Sequence, residues 1–313
     1  TLQDSSAASD VYKRQLTSLT TLDMSLAESL ETIPVNAFRD CRGLTSIIIP
    51  SNVQSIGDNA FRDCTALTNV DMSGCSVLND IYSSAFQGCT SLETVIFGSG
   101  LKTIGSNFQG LTNLTTVDMS LATSFETIPE NAFQGCTGLT RFTLGTVVTN
   151  FDSTSFQGCS NLEEFIIGAS LTAIPSNAFK GCIKLSNIDM RTNNIGNLKR
   201  LEDQCFSINY NDDSSSSELT YINIPSSVVY VGSQLFRGHQ NGDANETITV
   251  EISEDSELSQ PKKTVIVGAS SVEYEIKKDA FDTGNSTNDS GVFQKIRLRL
   301  PKDMINNFDP VLN

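Results

Sequence analysis

Seven phenylalanines, Phe38, Phe61, Phe86, Phe108, Phe133, Phe156 and Phe179, recur along this 313-residue chain at steps of 23, 25, 22, 25, 23 and 23 residues. Each brings the same neighbours with it. Six residues later stands Leu44, Leu67, Leu92, Leu114, Leu139, Leu162 or Leu185, and an apolar residue follows three and five positions further on, as in Leu139, Phe142 and Leu144. A unit this short cannot bury an apolar side alone, so a core forms only where one copy lies against the next. The chain is thereby constrained to a solenoid of stacked coils, and counting globular domains from its length does not apply.

Within each copy the pattern divides into parts. The segment from Leu44 to Ile49 alternates inward and outward and is rich in β-branched residues, as a short strand of a parallel sheet should be. The turn after it comes in two lengths. From Met24 to Phe38, Met72 to Phe86 and Met119 to Phe133 the interval is 14 residues, whereas Ile49 to Phe61, Leu144 to Phe156 and Ile167 to Phe179 span 12. A second apolar anchor precedes the Phe by five residues at Ile33, Ile56, Ile81, Ile128 and Ile174, and Pro34, Gly57, Pro129 or Pro175 follows where the chain must change direction. The Asn-Ala-Phe-x-x-Cys-x-x-Leu stretch spaces its apolar residues three apart. It predicts a helical or 3₁₀ turn on the convex side, with Asn36, Asn59, Asn131 and Asn177 as caps.

Eight cysteines invite a disulfide reading that their spacing weakens. Cys41, Cys64, Cys89, Cys136, Cys159 and Cys182 all fall three residues after the repeat Phe, and Leu111 takes that place after Phe108. The position therefore asks for a small apolar side chain, and free buried thiols are expected. Cys75, in a turn, and Cys205, just before Phe206, fall outside this file and are the two to test for reactivity. No C-x-x-C pair occurs and His239 is the single histidine, so neither a zinc site nor any cofactor is called for.

A formal charge of -15 and a pI near 4.4 exclude non-specific binding to nucleic acid or to anionic membrane, which needs clustered Lys and Arg. No apolar run reaches the roughly 18 residues that cross a bilayer, and the N-terminus shows no signal-peptide core. Residues 1–15 do not fit the period and read as a leader foreign to the repeat, because Leu19, Leu22 and Met24 already form a repeat strand. Residues 16–206 carry the regular repeat. From 207 to 313 it loosens, since Phe206, Phe236 and Phe281 follow Phe179 at steps of 27, 30 and 45 residues. Strand-like pieces persist at Tyr221 to Ile224, Ile248 to Ile252, Val265 to Val267 and Ile296 to Leu300, between polar stretches expected to be loops inserted in the same solenoid.

These residues resemble the BspA-like class of leucine-rich repeat, whose units read I-G/P-x-x-A-F-x-G-C-x-x-L-x-x-V-x-I/L; the copies nearest that pattern run from Ile128 to Leu144 and from Ile174 to Met190. The resemblance implies a leucine-rich-repeat solenoid with a parallel sheet on the concave face and short helical turns on the convex face. It further implies a surface-exposed or secreted protein, often adhesive, and it carries over no catalytic motif. An intracellular scaffold and a structural component of a larger extracellular assembly stand as alternatives.

The outward residue in the middle of each strand, read in order, is Asp23, Ile48, Asp71, Ile96, Asp118, Thr143, Ile166 and Asp189. Alternate Asp residues would stand roughly 10 Å apart on strands about 4.8 Å apart. That is too far to share one calcium ion or to act as a retaining-glycosidase pair. One reading is duplication of a two-coil unit that keeps like charges apart. The other is a docking face, with Thr116, Glu164 and Tyr221 beside it, for an extended protein or glycan partner offering cations and apolar groups in turn. Sequons at Asn113, Asn245, Asn285 and Asn288 are as many as chance supplies, with Asn245 and Asn285 in expected loops. There is no G-x-S-x-G, P-loop or dinucleotide fingerprint, and no enzyme is expected.

Overall fold

The computed structural model describes residues 19–190 apart from Ser25 and Glu28, residues 197–207, and beyond them short pieces between 219 and 235 with strands at 249–252, 275–276 and 297–299. The leader at 1–15, the segments expected as inserted loops, the expected strand at Val265 to Val267, His239, and the sequons at Asn245, Asn285 and Asn288 lie outside the described residues.

Each alternating segment of the regular repeat becomes a three-residue strand whose middle side chain is buried, as in Ser46–Ile48, Thr94–Ile96 and Thr116–Asp118, or half-buried at Leu22 in the first. Eight of them, from Thr21–Asp23 to Asn187–Asp189, form one parallel sheet in chain order. Leu22 lies opposite Ile47, Val95 opposite Val117, and Phe142 opposite Phe165. A further parallel set, Tyr221–Ile224, Thr249–Ile252 and Arg297–Arg299, repeats the arrangement in the loosened part of the chain. The fold is a parallel β-solenoid of the leucine-rich-repeat kind, with this long sheet on its concave side.

The second apolar anchor forms two-residue strands such as Ser55–Ile56 and Thr103–Ile104, which also pair in parallel from coil to coil. Here the residue after the anchor donates its N–H to the anchor carbonyl of the preceding coil. Gly57 reaches Ile33 at 2.9 Å, Tyr82 reaches Ile56 at 2.9 Å and Asp152 reaches Ile128 at 3.1 Å. Proline has no N–H to offer. The second sheet is accordingly cut before Thr127–Ile128, which precedes Pro129, and before Ala173–Ile174, which precedes Pro175.

On the convex side the expected helical turn is replaced by linked turns, and no helix occurs among the described residues. The cause is conformational. Asn36, Asn59, Asn131 and Asn177 have φ of 55 to 58°, and four residues later Asp40, Asp63, Gly135 and Gly181 are again at positive φ. Three residues between two left-handed ones are too few for an α-helical turn, and the i→i+3 bonds there, such as Arg39 N–H to Asn36 O at 3.3 Å and Cys41 N–H to Phe38 O at 3.2 Å, stand singly and do not run on as a 3₁₀ helix. The asparagines thus serve as the side chain that tolerates this backbone, not as N-caps. Donors freed from a helix reach the next coil instead, Phe38 N–H to Ala60 O at 2.7 Å, Phe61 to Ala85 at 2.9 Å and Phe133 to Ser155 at 2.9 Å.

Inside, the phenylalanines form a continuous stack. Ring centroids along Phe38, Phe61, Phe86, Phe108, Phe133, Phe156, Phe179 and Phe206 lie 5.3 to 6.2 Å apart, each pair near parallel. The cysteine file next to it has a polar function that spacing did not reveal. From Cys64 onward each of its thiols donates to the Phe carbonyl of the preceding coil, Cys64 to Phe38 at 3.2 Å, Cys136 to Phe108 at 2.9 Å and Cys159 to Phe133 at 3.2 Å. Cys75 and Cys205, the two singled out for a reactivity test, are free thiols and are not exposed. Both are buried, because Cys205 fills the small-residue slot that Ala132 and Ala178 fill elsewhere and Cys75 tucks under the long turn with its Sγ 3.8 Å from Ile49 O. Burial pushes the Cys75 thiol up to about 11, and it holds Cys205 well above the ordinary thiol range.

The coil of Phe108 departs from the rest. Ile104 precedes Phe108 by four residues instead of five, so Asn107 drops into the alanine slot and is fully buried. Its Nδ2 donates to Ile81 O at 3.3 Å, while Oδ1 has no hydrogen-bond partner among the described residues. The missing residue puts this coil out of step with its neighbours, and among the described residues neither Phe86 nor Phe108 donates its N–H to the next coil, a bond that Phe156 in a regular coil also lacks. Between this coil and the one carrying Pro129 a surface groove of about 520 Å³ opens, flanked by Lys102, Thr103, Glu126 and Thr127.

Candidate functional site

The outward side chains of the long sheet fall into two straight files, because parallel in-register strands place equivalent positions side by side. The file read from the sequence is at the last residue of each strand, not the middle one. Its order holds: Asp23 pairs with Ile48, Asp71 with Ile96, Ile96 with Asp118, Asp118 with Thr143, Thr143 with Ile166 and Ile166 with Asp189. Pairing of Ser46 with Asn69 sets Ile48 beside Asp71. Ile48 is 52% exposed, an unusual position for an isoleucine in a chain whose other apolar side chains are mostly sealed.

The sequence did not show why carboxylates alternate. All three early Asp residues belong to an Asp-Met-Ser triplet that opens one of the long turns, at Asp23, Asp71 and Asp118. Asp71 Oδ1 accepts the Ser73 N–H at 2.9 Å and Asp118 Oδ1 accepts the Ser120 N–H at 2.8 Å. These are Asx turns, which let the chain leave the strand at that angle. Short coils leave differently. After the last strand-flanking apolar residue the first of them places Pro50 and the later ones Gly98, Gly145 and Gly168, and a Cβ on Gly168 would run into the Gly145 carbonyl of the coil below. Asp71 and Asp118 thus each commit one oxygen to the turn. The other oxygen of Asp71 and of Asp118 has no partner among the described residues.

The neighbouring file runs Thr21, Ser46, Asn69, Thr94, Thr116, Arg141, Glu164 and Asn187. Glu164 is not a lone charge there. Arg141 Nε lies 3.1 Å from its Oε2, and Asn187 Nδ2 donates to its Oε1 at 3.3 Å. Arg141 was legible as an outward cation one strand before Glu164 but was not read as its partner. Thr116 stands beside Asp118 in the adjoining position. Tyr221 heads its strand and Asp189 ends the long sheet, and the side chains of both lie outside the described residues. Apolar groups also crown the long turns, where Leu26 is 92% and Leu121 47% exposed. Asn113 uses its Nδ2 to donate to Thr90 O at 2.7 Å.

The face therefore offers carboxylate oxygens, isoleucine side chains and threonine hydroxyls in a regular grid. Nothing in the grid brings a nucleophile against a base, and among the described residues no three His, Cys, Asp or Glu side chains converge to hold a metal. No helix among them is long and apolar enough to cross a membrane.

Compared with known proteins, residues 10–122 and 108–243 match the BspA type leucine rich repeat region, in six copies. A crystal structure of a leucine-rich repeat protein from Eubacterium ventriosum is similar at 27% identity with a TM-score of 0.50, over 56% of this chain and 47% of that one. The chain thus spans about half the length of that protein. A leucine rich cell surface protein from Faecalibacterium prausnitzii is similar at 20% identity over 67% of this chain and 74% of that one, with a TM-score of 0.27. The pneumococcal vaccine antigen PcpA is similar at 18% identity over 92% of this chain and 75% of that one, with a TM-score of 0.36. No functionally curated protein matches.

Proposed function

The chain belongs to the BspA type leucine-rich-repeat family, and from that premise we propose that it is a non-enzymatic recognition or adhesion module, at a cell surface or secreted, binding a protein or glycan partner on its long sheet. In this reading residues 16–206 form the recognition solenoid and residues 207–313 continue it with inserted loops. The reading is supported by the outward file, in which Asp23, Asp71 and Asp118 alternate with Ile48 and Ile96 in register. A face that only had to be solvated would not need half-exposed isoleucine between the carboxylates. Such a grid suits a partner that brings cationic and apolar groups in turn, since charge fixes register and apolar contact supplies affinity.

The experiment must separate charge from turn geometry. Asp71→Asn with Asp118→Asn keeps an acceptor oxygen for the Ser73 and Ser120 amides and removes both charges. Surface plasmon resonance of the full chain over a panel of matrix proteins and glycans should find a partner that the double variant binds about tenfold more weakly, with an unchanged unfolding midpoint. A partner bound equally by both proteins would refute the assignment of the face.

A further inference from the structure

Building on the recognition reading of this face, we infer that the segment it accepts is an extended polyproline-II chain carrying a lysine at every third residue. The argument is one of matching periods. Successive strands of a parallel sheet lie about 4.8 Å apart, so Asp23, Asp71 and Asp118, each two strands from the next, recur about every 9.6 Å along the solenoid axis. A β-strand laid along that axis presents a residue to the surface about every 6.7 Å, and neither one nor two of its steps meets the next carboxylate. An α-helix presents a heptad position about every 10.5 Å, falling about 1.8 Å out of step across three carboxylates. Three residues of polyproline II advance about 9.3 Å, an error of about 0.6 Å over the same span, which a lysine stem absorbs.

Two local features sharpen the identity of the partner. The Oδ1 atoms of Asp71 and Asp118 are each held by a backbone amide, which competes with the two-pronged grip of an arginine for one of the two oxygens. A compact ammonium needs only the remaining oxygen. Between the carboxylates stand Ile48 and Ile96, and the two residues between lysines would straddle each isoleucine at about 3.1 and 6.2 Å from the preceding charge. Proline fits there, because it is apolar, lacks an N–H that needs a partner, and holds the chain in this conformation before binding. The alternation ends after Asp118 with Thr143 and Ile166. The matched run is therefore seven residues, Lys-Pro-Pro-Lys-Pro-Pro-Lys.

Fluorescence anisotropy with that labelled peptide and its isomer Lys-Pro-Lys-Pro-Lys-Pro-Pro, of identical composition and charge, tests the period. The third-spaced peptide should bind the full chain about tenfold more tightly, and Asp71→Asn with Asp118→Asn should erase the difference. Equal affinities, or a preference that survives the double variant, would overturn the inference. If the matrix-protein and glycan panel still reports loss of binding in the double variant, the recognition face stands and the period alone has failed. A panel unmoved by the variant removes both.

Discussion

Truncating Phe133 to alanine measures how far the stack holds the solenoid together. Phe133 is fully buried, its ring 5.5 Å from Phe108 and 5.7 Å from Phe156 in near-parallel contact, with Phe142 edge-on at 5.0 Å. Phe→Ala in a packed core costs about 3–5 kcal/mol. Aromatic pairs add about 0.5–1.5 kcal/mol beyond area, but one truncation already counts them, so the expectation is the upper part of the first range, about 4–5 kcal/mol. Phe38, partly exposed and among the described residues stacked on Phe61 alone, provides the internal comparison. Phe38→Ala forfeits one stacked neighbour and leaves a site open to water, so its cost should be about half as large. Because coupling runs between neighbouring coils, loss at Phe133 weakens two interfaces and loss at Phe38 mainly one. Urea denaturation followed by far-UV circular dichroism gives both values. Equal destabilisation by the two variants, or a cost below about 2 kcal/mol at Phe133, would refute the view that the ring stack carries the coil interfaces.

Asp71→Ala should destabilise by about 1 kcal/mol through loss of the turn acceptor, whereas Asp71→Asn should be near neutral; thermal melts of the two variants check this, and equal losses would mean the carboxylate matters for charge. Burial raises the Cys75 thiol to about 11 and the Cys89 thiol to about 12. A raised folded-state value favours the protonated folded form, so this contribution to stability is full below about pH 8.5 and is lost as pH rises towards 11 and 12. Urea midpoints should therefore fall between pH 9 and 11, and in native protein at pH 8 neither Cys75 nor Cys205 should react with a thiol reagent until denaturant is added. In hydrogen exchange, the amides of Phe86 and Phe108, which donate to no neighbouring coil, should exchange faster than those of Phe61 and Phe133, which donate at 2.9 Å. Equal protection would show that the short coil is no looser than the others.

How much of this was legible followed from how strictly the repeat binds each position. The ring stack, the buried leucines and the order of the outward file were readable because a parallel stack copies any periodic pattern straight into space, and Phe133 can lie only over Phe108 and under Phe156. The convex side was misread because three-residue apolar spacing is shared by a helical turn and by linked turns. What separates them is Asn131 at φ 56° followed by Gly135 at φ 71°, and the Asn-x-x-x-Gly spacing was in the sequence to be weighed against the capping reading. Cys75 and Cys205 were set apart for a reactivity test by comparing them with the cysteine file alone. Aligned on Met72 and Phe206 instead, they fall on the positions of Ala122 and Ala178, both buried. The carboxylates are the harder case, since Asp-Met-Ser in every long turn was visible while its meaning depended on an angle. Once Oδ1 of Asp71 is known to hold the Ser73 amide, the alternation has a local cause in turn length. The same bond fixes the carboxylate's orientation and leaves one oxygen for a ligand, so the turn that explains the aspartate away also pre-organises it for binding.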